Sequence, residues 1–403
     1  MKVERYNYKS QFTSDPDPLF REIRDMILNG RYILSKEVSE FESKFACYLG
    51  VNHVRGVNTG TDSLVIALRA LGVGSGDEVI TQANTFHATV AAIRHAGATP
   101  VLVDADEQSF LLDQSQVHAA ITARTRAIIP VHLYGKPTPM EHLLSLARKR
   151  GIAVVEDAAQ AHGARIGGRL VGSFGDLACF SFHPSKNLAA AGDAGAIATN
   201  SDFLAERVRC LRELGQCGQN HHVIHGFNSK LDAIQARVLS WKLPYLDSWN
   251  EERRRVAAMY REQLDGLPLA FQSVTPGEEH AYHLFQVRTS LRDALLSHLR
   301  DAGIDAVVRY PSAIHLQPAF ADMGWSRGQF AVAERLAKEL LCLPIRPDLS
   351  ISEVDYVCQQ VRVFYKDLRK ASGGVGAGFM PVRAPIGAGS PEQKAELWFG
   401  RAG

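Results

Sequence analysis

Two stretches of the chain carry charged residues where a reaction could use them. In VVEDAAQAHG (154–163) an apolar run ends in Glu156 and Asp157 and gives way to small residues. Open α/β sheets bind ligands beyond the carboxyl ends of their strands. A carboxylate set there can neutralise a cationic ring nitrogen, and such a partner makes its burial tolerable. The same Asp would equally cap a following helix. In CFSFHPSKNLAAAGDAGAIATN (179–200) an apolar run opens into His183, Pro184, Ser185, Lys186 and Asn187 before a Gly-containing turn. A lysine held away from water has a lowered pKa and attacks aldehydes. On an open surface it is merely solvated. Ser181 and Ser185 flank it with hydroxyls suited to an anion such as phosphate.

Two weaker signals precede these. VNTGTDSLVIAL (57–68) reads as a short strand, a turn at Thr59-Gly60-Thr61 and a helix that opens at the turn. Backbone N–H groups at a helix start converge on an anion, and Gly60 lets it approach closely. An uncommitted strand-to-helix turn has the same appearance. Phe86, in TQANTFHAT, could stack on a planar ring or pack in a core.

The elements that must position these residues alternate along the chain. TDSLVIALRALG (61–72) has a helical stripe of Leu64, Leu68 and Leu71, and EVIT (78–81) follows as a strand. TPVLVD (99–104), AIIPVHLYG (127–135), IAVVED (152–157), DLACFSF (176–182) and AGAIAT (194–199) are short apolar runs, continuous enough to lie inside a sheet. They predict a layered α/β domain with a large, mostly parallel sheet. Residues 201–265 read as helices without a strand. YHLFQVRTS (282–290), LRDALLSHLRDAG (291–303) and IDAVVRYP (304–311) read as strand, helix, strand, and EVDYVCQQVRVFYKDL (353–368) as a closing helix. A large domain over 1–265, a smaller α/β domain over 266–370 and a flexible tail over 371–403 are expected. The tail has eight Gly, three Pro and no periodicity, and its GGVGAG run has neither the strand nor the helix a phosphate loop needs.

Composition narrows the classes. With 403 residues, two or three domains of about 150 residues each fit the length, and 46% apolar content supports sizeable cores. Lys and Arg number 45 against 43 Asp and Glu, so no nucleic-acid partner is implied. Apolar runs are broken by charge before they could span a bilayer, and the N-terminus lacks the pattern of a signal peptide, so a cytoplasmic protein is expected. Six cysteines without CxxC spacing read as reduced thiols. Cys217-x3-His221-His222-x2-His225 fits no common zinc spacing, so no metal is expected. GVGSG (72–76) precedes a strand rather than a helix, which argues against a nicotinamide enzyme.

Taken in chain order, NTGTDSL, ANTFHAT, PVHLYG, VVEDAAQAHGA, SFHPSKNL, GFNSKLDAIQA, LDSWNEERR, YHLFQVRT and HLQPAF resemble the DegT/DnrJ/EryC1/StrS family of sugar aminotransferases, from about residue 29 to 368. The resemblance implies a fold type I transferase dependent on pyridoxal 5′-phosphate (PLP), with a seven-stranded sheet and a smaller C-terminal α/β domain. It further implies Lys186 as the Schiff-base lysine, Asp157 as partner of the pyridine nitrogen, and Phe86 and Gln160 against the ring. Gly60, Thr61 and Ser181 would hold the phosphate, with Asn228 reaching that of a neighbouring subunit in a homodimer. His183 and His315 would face the sugar, with side chains at 183, 221–225 and 310–317 shaping its pocket. Lys230 stands where the family usually has Arg. The implied reaction moves an amino group from glutamate or glutamine to a nucleotide-linked keto-sugar. Elimination or aromatisation with the same cofactor, and PLP binding without turnover in a regulatory protein, are the alternatives.

Overall fold

A computed structural model describes residues 1–12 and 15–371. Its main sheet has seven strands in the order His53–Val57, Gly195–Thr199, Leu177–Ser181, Ala153–Asp157, Thr125–Ile128, Glu78–Gln82, Thr99–Val103. Neighbouring strands from Leu177–Ser181 to Thr99–Val103 are parallel. Gly195–Thr199 alone runs against both its neighbours. The sheet is thus mostly parallel, as expected, and Glu78–Gln82 and Gly195–Thr199 are buried throughout because helices cover both faces.

The helix Gly60–Ala70 shows how sequence and layer agree. Thr59 caps it, its side chain accepting from the Asp62 N–H at 3.0 Å. Ser63 to Leu68 are all buried, so the helix is enclosed nearly all round instead of presenting one Leu stripe. It packs between the sheet and the helices His87–His95 and Asp202–Arg212.

A three-stranded antiparallel sheet joins Ala270–Phe271, Phe285–Arg288 and Leu340–Leu343. Both sheets belong to the compact unit Met1–Phe364. The run 304–311, expected as a strand, forms only single bridges, Val3 with Ile304 and Val307 with Cys342. Pro311 has no N–H to continue a ladder, and the place beside Phe285–Arg288 is taken by Leu340–Leu343. The expected strand at 127–135 also stops early, at Ile128, before Pro130 and a tight turn at Leu133–Gly135 in which Tyr134 has φ 64°. The helix Ile351–Ala371 closes the described chain, and the expected tail beyond it lies outside the described residues.

Glu156 anchors the strand on which Asp157 sits. Its Oε1 accepts from the N–H groups of Phe174 and Gly175, each at 2.7 Å, and its Oε2 from that of Gly172 at 2.8 Å. His132 Nδ1 accepts from the Thr138 N–H, so its Nε2 carries the proton it offers Glu156 Oε2 at 3.1 Å. Burial pushes this carboxyl's pKa up. The hydrogen bond from His132 and the backbone donors more than reverse that, leaving it below its ordinary value. Each oxygen takes two donors, so an amide in either flip would set its NH2 against N–H groups. Glu156→Gln should therefore destabilise the fold by roughly 3 kcal/mol. Urea unfolding measures this; a midpoint unchanged from wild type would show that the network carries no net stability.

Candidate active site

A cavity of about 470 Å³ opens at the carboxyl ends of the central strands. Asp157 ends one strand and Ser181 the next, and Phe86 and Gly60 follow two others, so four separate runs of sequence converge there. The volume suits a small cofactor together with part of a substrate.

Asp157 is 5% exposed. Its Oδ2 accepts from Thr89 Oγ1 at 2.8 Å and its Oδ1 from the Ala159 N–H at 3.2 Å. Burial raises its pKa against the pull of these bonds and of the Lys186 charge, so the carboxylate is short of positive partners. Lys186 is half-buried on the same wall. Its pKa is lowered to about 8, chiefly by loss of water; the Asp157 charge opposes the shift and that of Arg309 adds to it. The turn that carries Lys186 is pinned at the next residue, where Asn187 Nδ2 donates to Asn250 Oδ1 and to the Ala281 carbonyl, both at 2.8 Å.

The anion cradle is a matter of close backbone approach. A Cβ on Gly60 would stand 2.5 Å from the Ser181 Cβ, and one on Gly195 would stand 2.3 Å from the Thr59 carbonyl oxygen. No side chain fits at either place. The Asp62 and Ser63 N–H groups are taken by Thr59. Gly60 and Thr61, at the open end of the helix, line the cavity with Ser181.

Phe86 is 48% exposed, so core packing does not explain it. Its ring lies 5.3 Å from that of Tyr310. Gln160 is buried: its Oε1 accepts from the Tyr134 N–H at 2.7 Å and its Nε2 donates to the Tyr310 hydroxyl at 2.8 Å. His183 lies exposed at the cavity wall with its Nδ1 2.9 Å from Ser185 Oγ.

Two expected residues are elsewhere. Asn228 is exposed and outside this cavity, accepting from Lys230 Nζ at 2.5 Å. His315, expected to face the sugar, does not line the cavity. It is 4% exposed, its Nε2 lies 3.0 Å from Glu334 Oε1, and its ring packs against Phe330. The short turn Ile314–Leu316 directs it inward. Residues 221–225 are also absent from the wall. Conversely, His283 and Arg309 line the cavity and were missed. Each lies in a run read only for strand periodicity, and no spacing linked either to Lys186.

A cofactor with an anionic tail, a ring that carries a proton and an aldehyde fits this set. The cradle would take the tail, Asp157 would supply the charge a ring N–H requires, and Lys186 would supply an amine. Phe86, Tyr310 and Gln160 border the space between.

Residues 16–362 match the model of the DegT/DnrJ/EryC1/StrS aminotransferase family. A pleiotropic regulatory protein of Geobacillus stearothermophilus is 43% identical over 91% of this chain and 99% of its own length. A dTDP-3-amino-3,4,6-trideoxy-alpha-D-glucose transaminase of Streptomyces venezuelae is 46% identical over 83% of this chain and 88% of its own. The crystal structure of S. venezuelae DesV in complex with a ketimine intermediate superposes with a TM-score of 0.88 at 44% identity, covering 90% of this chain and 98% of that one.

The lowered pKa of Lys186 has a measurable sign. In cofactor-free protein its amine should become reactive toward a small aldehyde as pH rises through about 8, well below the 10.5 of an ordinary lysine. Reductive trapping at residue 186 across pH 6–11 measures the midpoint. A midpoint at the ordinary lysine value would mean that the amine sits in water.

Proposed function

The chain belongs to the DegT/DnrJ/EryC1/StrS aminotransferase family, and from that membership we propose that it transfers the amino group of glutamate or glutamine to the keto carbon of a nucleotide-linked sugar. It is an aminotransferase of amino-sugar biosynthesis, and its cofactor is PLP. The observation that carries the site assignment is that Lys186 and Asp157 stand on one cavity wall, each displaced toward its neutral form by burial, without touching in an ion pair.

When bound, PLP supplies an aldehyde carbon and a pyridine ring able to accept the electrons released at a substrate carbon. In this reading Lys186 Nζ would hold the cofactor through that carbon. When free, Nζ would be the base that takes the proton from the donor Cα and holds it beside the reacting atoms. A pKa near neutrality suits both tasks. Asp157 keeps the proton on the ring nitrogen and stabilises the charge that develops there. Phe86 and Gln160 flank the ring. Gly60, Thr61 and Ser181 receive the phosphate through N–H and O–H donors. His183, at the wall and exposed, meets the sugar. Asn228, exposed and clear of its own cavity, would serve the phosphate of a second subunit, so a homodimer with shared sites is part of the reading. Among the described residues no helix is long and apolar enough to cross a membrane; work in the cytoplasm is also part of the reading.

Glutamate or glutamine alone should convert the PLP-loaded enzyme to its amine form, seen as loss of the long-wavelength absorbance. Cofactor that stays unconverted with both donors would instead favour elimination chemistry or a regulatory binder. Borohydride should fix the cofactor to residue 186. Asp157→Asn should retain PLP and slow conversion by about 100-fold or more. A variant as fast as wild type would remove Asp157 from the mechanism.

A further inference from the structure

The cavity wall carries a second cation that the reaction as described does not use. Among the described residues the Arg309 guanidinium has neither a hydrogen bond nor an ion pair, although the residue is only half-exposed and lines the cavity. Its root, by contrast, is held firmly. The Arg309 carbonyl accepts from the Tyr134 hydroxyl at 2.9 Å and from Gln286 Nε2 at 3.5 Å. Its neighbour Tyr310 is fixed by Gln160 and packs on Phe86. A planar fork of five donors is thus anchored at its base and free at its head, at a site that must receive an anion.

Which anion follows from distance along the reactants. Arg309 lines the same cavity as Lys186, where its charge helps lower the pKa of that amine. A donor's nitrogen takes the place of that amine, and its α-carboxylate is two bonds from the nitrogen. The phosphates of a nucleotide-linked sugar are separated from the keto carbon by sugar carbons and so lie farther out. The cofactor phosphate has its own cradle at Gly60 and Ser181. Of the carboxylates on the wall, Asp157 is engaged by Thr89 and Ala159, and Asp193 is exposed without an ion pair to Arg309.

We propose that Arg309 binds the α-carboxylate of the amino-acid donor and thereby selects α-amino acids over simple amines. This rests on the aminotransferase reading above and deepens it. After the first half-reaction the keto acid leaves and the guanidinium is released for the uncharged sugar ring, so the residue acts in donor recognition and leaves acceptor recognition to other groups.

The test uses the PLP-loaded enzyme and its Arg309→Gln and Arg309→Lys variants. Three quantities are measured: PLP retention, the Kd of 2-methylglutamate, which keeps the carboxylates but has no α-hydrogen to lose, and the rates of conversion by glutamate and by 4-aminobutyrate, which lacks the α-carboxylate. Arg309→Gln should weaken 2-methylglutamate binding and slow glutamate at low concentration by about 100-fold. PLP retention and the 4-aminobutyrate rate should be unchanged, and Arg309→Lys should recover part of the loss. The proposal is overturned if 2-methylglutamate binds the Gln variant as it binds wild type, if both amines lose equally, or if the loss falls on PLP retention or only on the nucleotide-sugar half-reaction. If wild type converts with no donor, the aminotransferase reading fails, while the Kd comparison still decides whether Arg309 holds a carboxylate. Should the Gln variant not fold, the Lys variant, keeping charge but not the fork, should still show a loss of about 10-fold on 2-methylglutamate.

Discussion

A carboxylate taken out of water without a cation against it is the constraint around which the centre of this molecule is arranged. Asp157 has two hydrogen bonds and the charge of Lys186 acting through space, and burial still raises its pKa. Lys186 is driven the other way for the same reason. Opposite charges that share a cavity would ordinarily collapse into contact and repay part of their desolvation. Here the sheet holds one and a pinned turn holds the other, so the gap persists. A ligand that offers Asp157 a protonated nitrogen and Lys186 an aldehyde would relieve both penalties at once.

Adjacent residues on one strand divide the labour. Side chains alternate across a strand, so Glu156 and Asp157 leave its end on opposite faces. Glu156 is saturated by three backbone N–H groups and His132. It braces the loop 172–175 against the strand. Asp157, one position on, is left under-satisfied in the cavity. Rigidity beside the reactive carboxylate comes from its neighbour, so the reactive group itself needs few partners.

The parts of the site that were legible in the sequence are those in which chemistry and local geometry coincide. Asp157 ends an apolar run, Lys186 follows another, and Gly60 opens a capped helix; each is a feature of a dozen residues. Periodicity located the main strands because both faces of the sheet are covered, and continuous apolar runs are its consequence. It misjudged 304–311, where an apolar run meets the edge strand Leu340–Leu343 through the single bridge of Val307 with Cys342. Arg309 and His283 reach the cavity through tertiary folding of that second sheet and its connections, which no local pattern encodes. His315 stands in a family-like motif but is turned inward by a single tight turn to meet Glu334, more than a dozen residues away in the chain.

The contact of Gly60 with Ser181, and of Gly195 with Thr59, leaves no slack between two strand ends and a helix. Covalent attachment at the lysine is by nature intermittent in a shuttle between two substrates, since the bond must be given up each time an amine enters. In the proposed reading, custody of the cofactor through that interval would pass to the anion seat at Gly60 and Ser181. On that reading the molecule would release its prosthetic group chemically while keeping it physically, a separation of duties that rests on the close backbone approach at the two glycines.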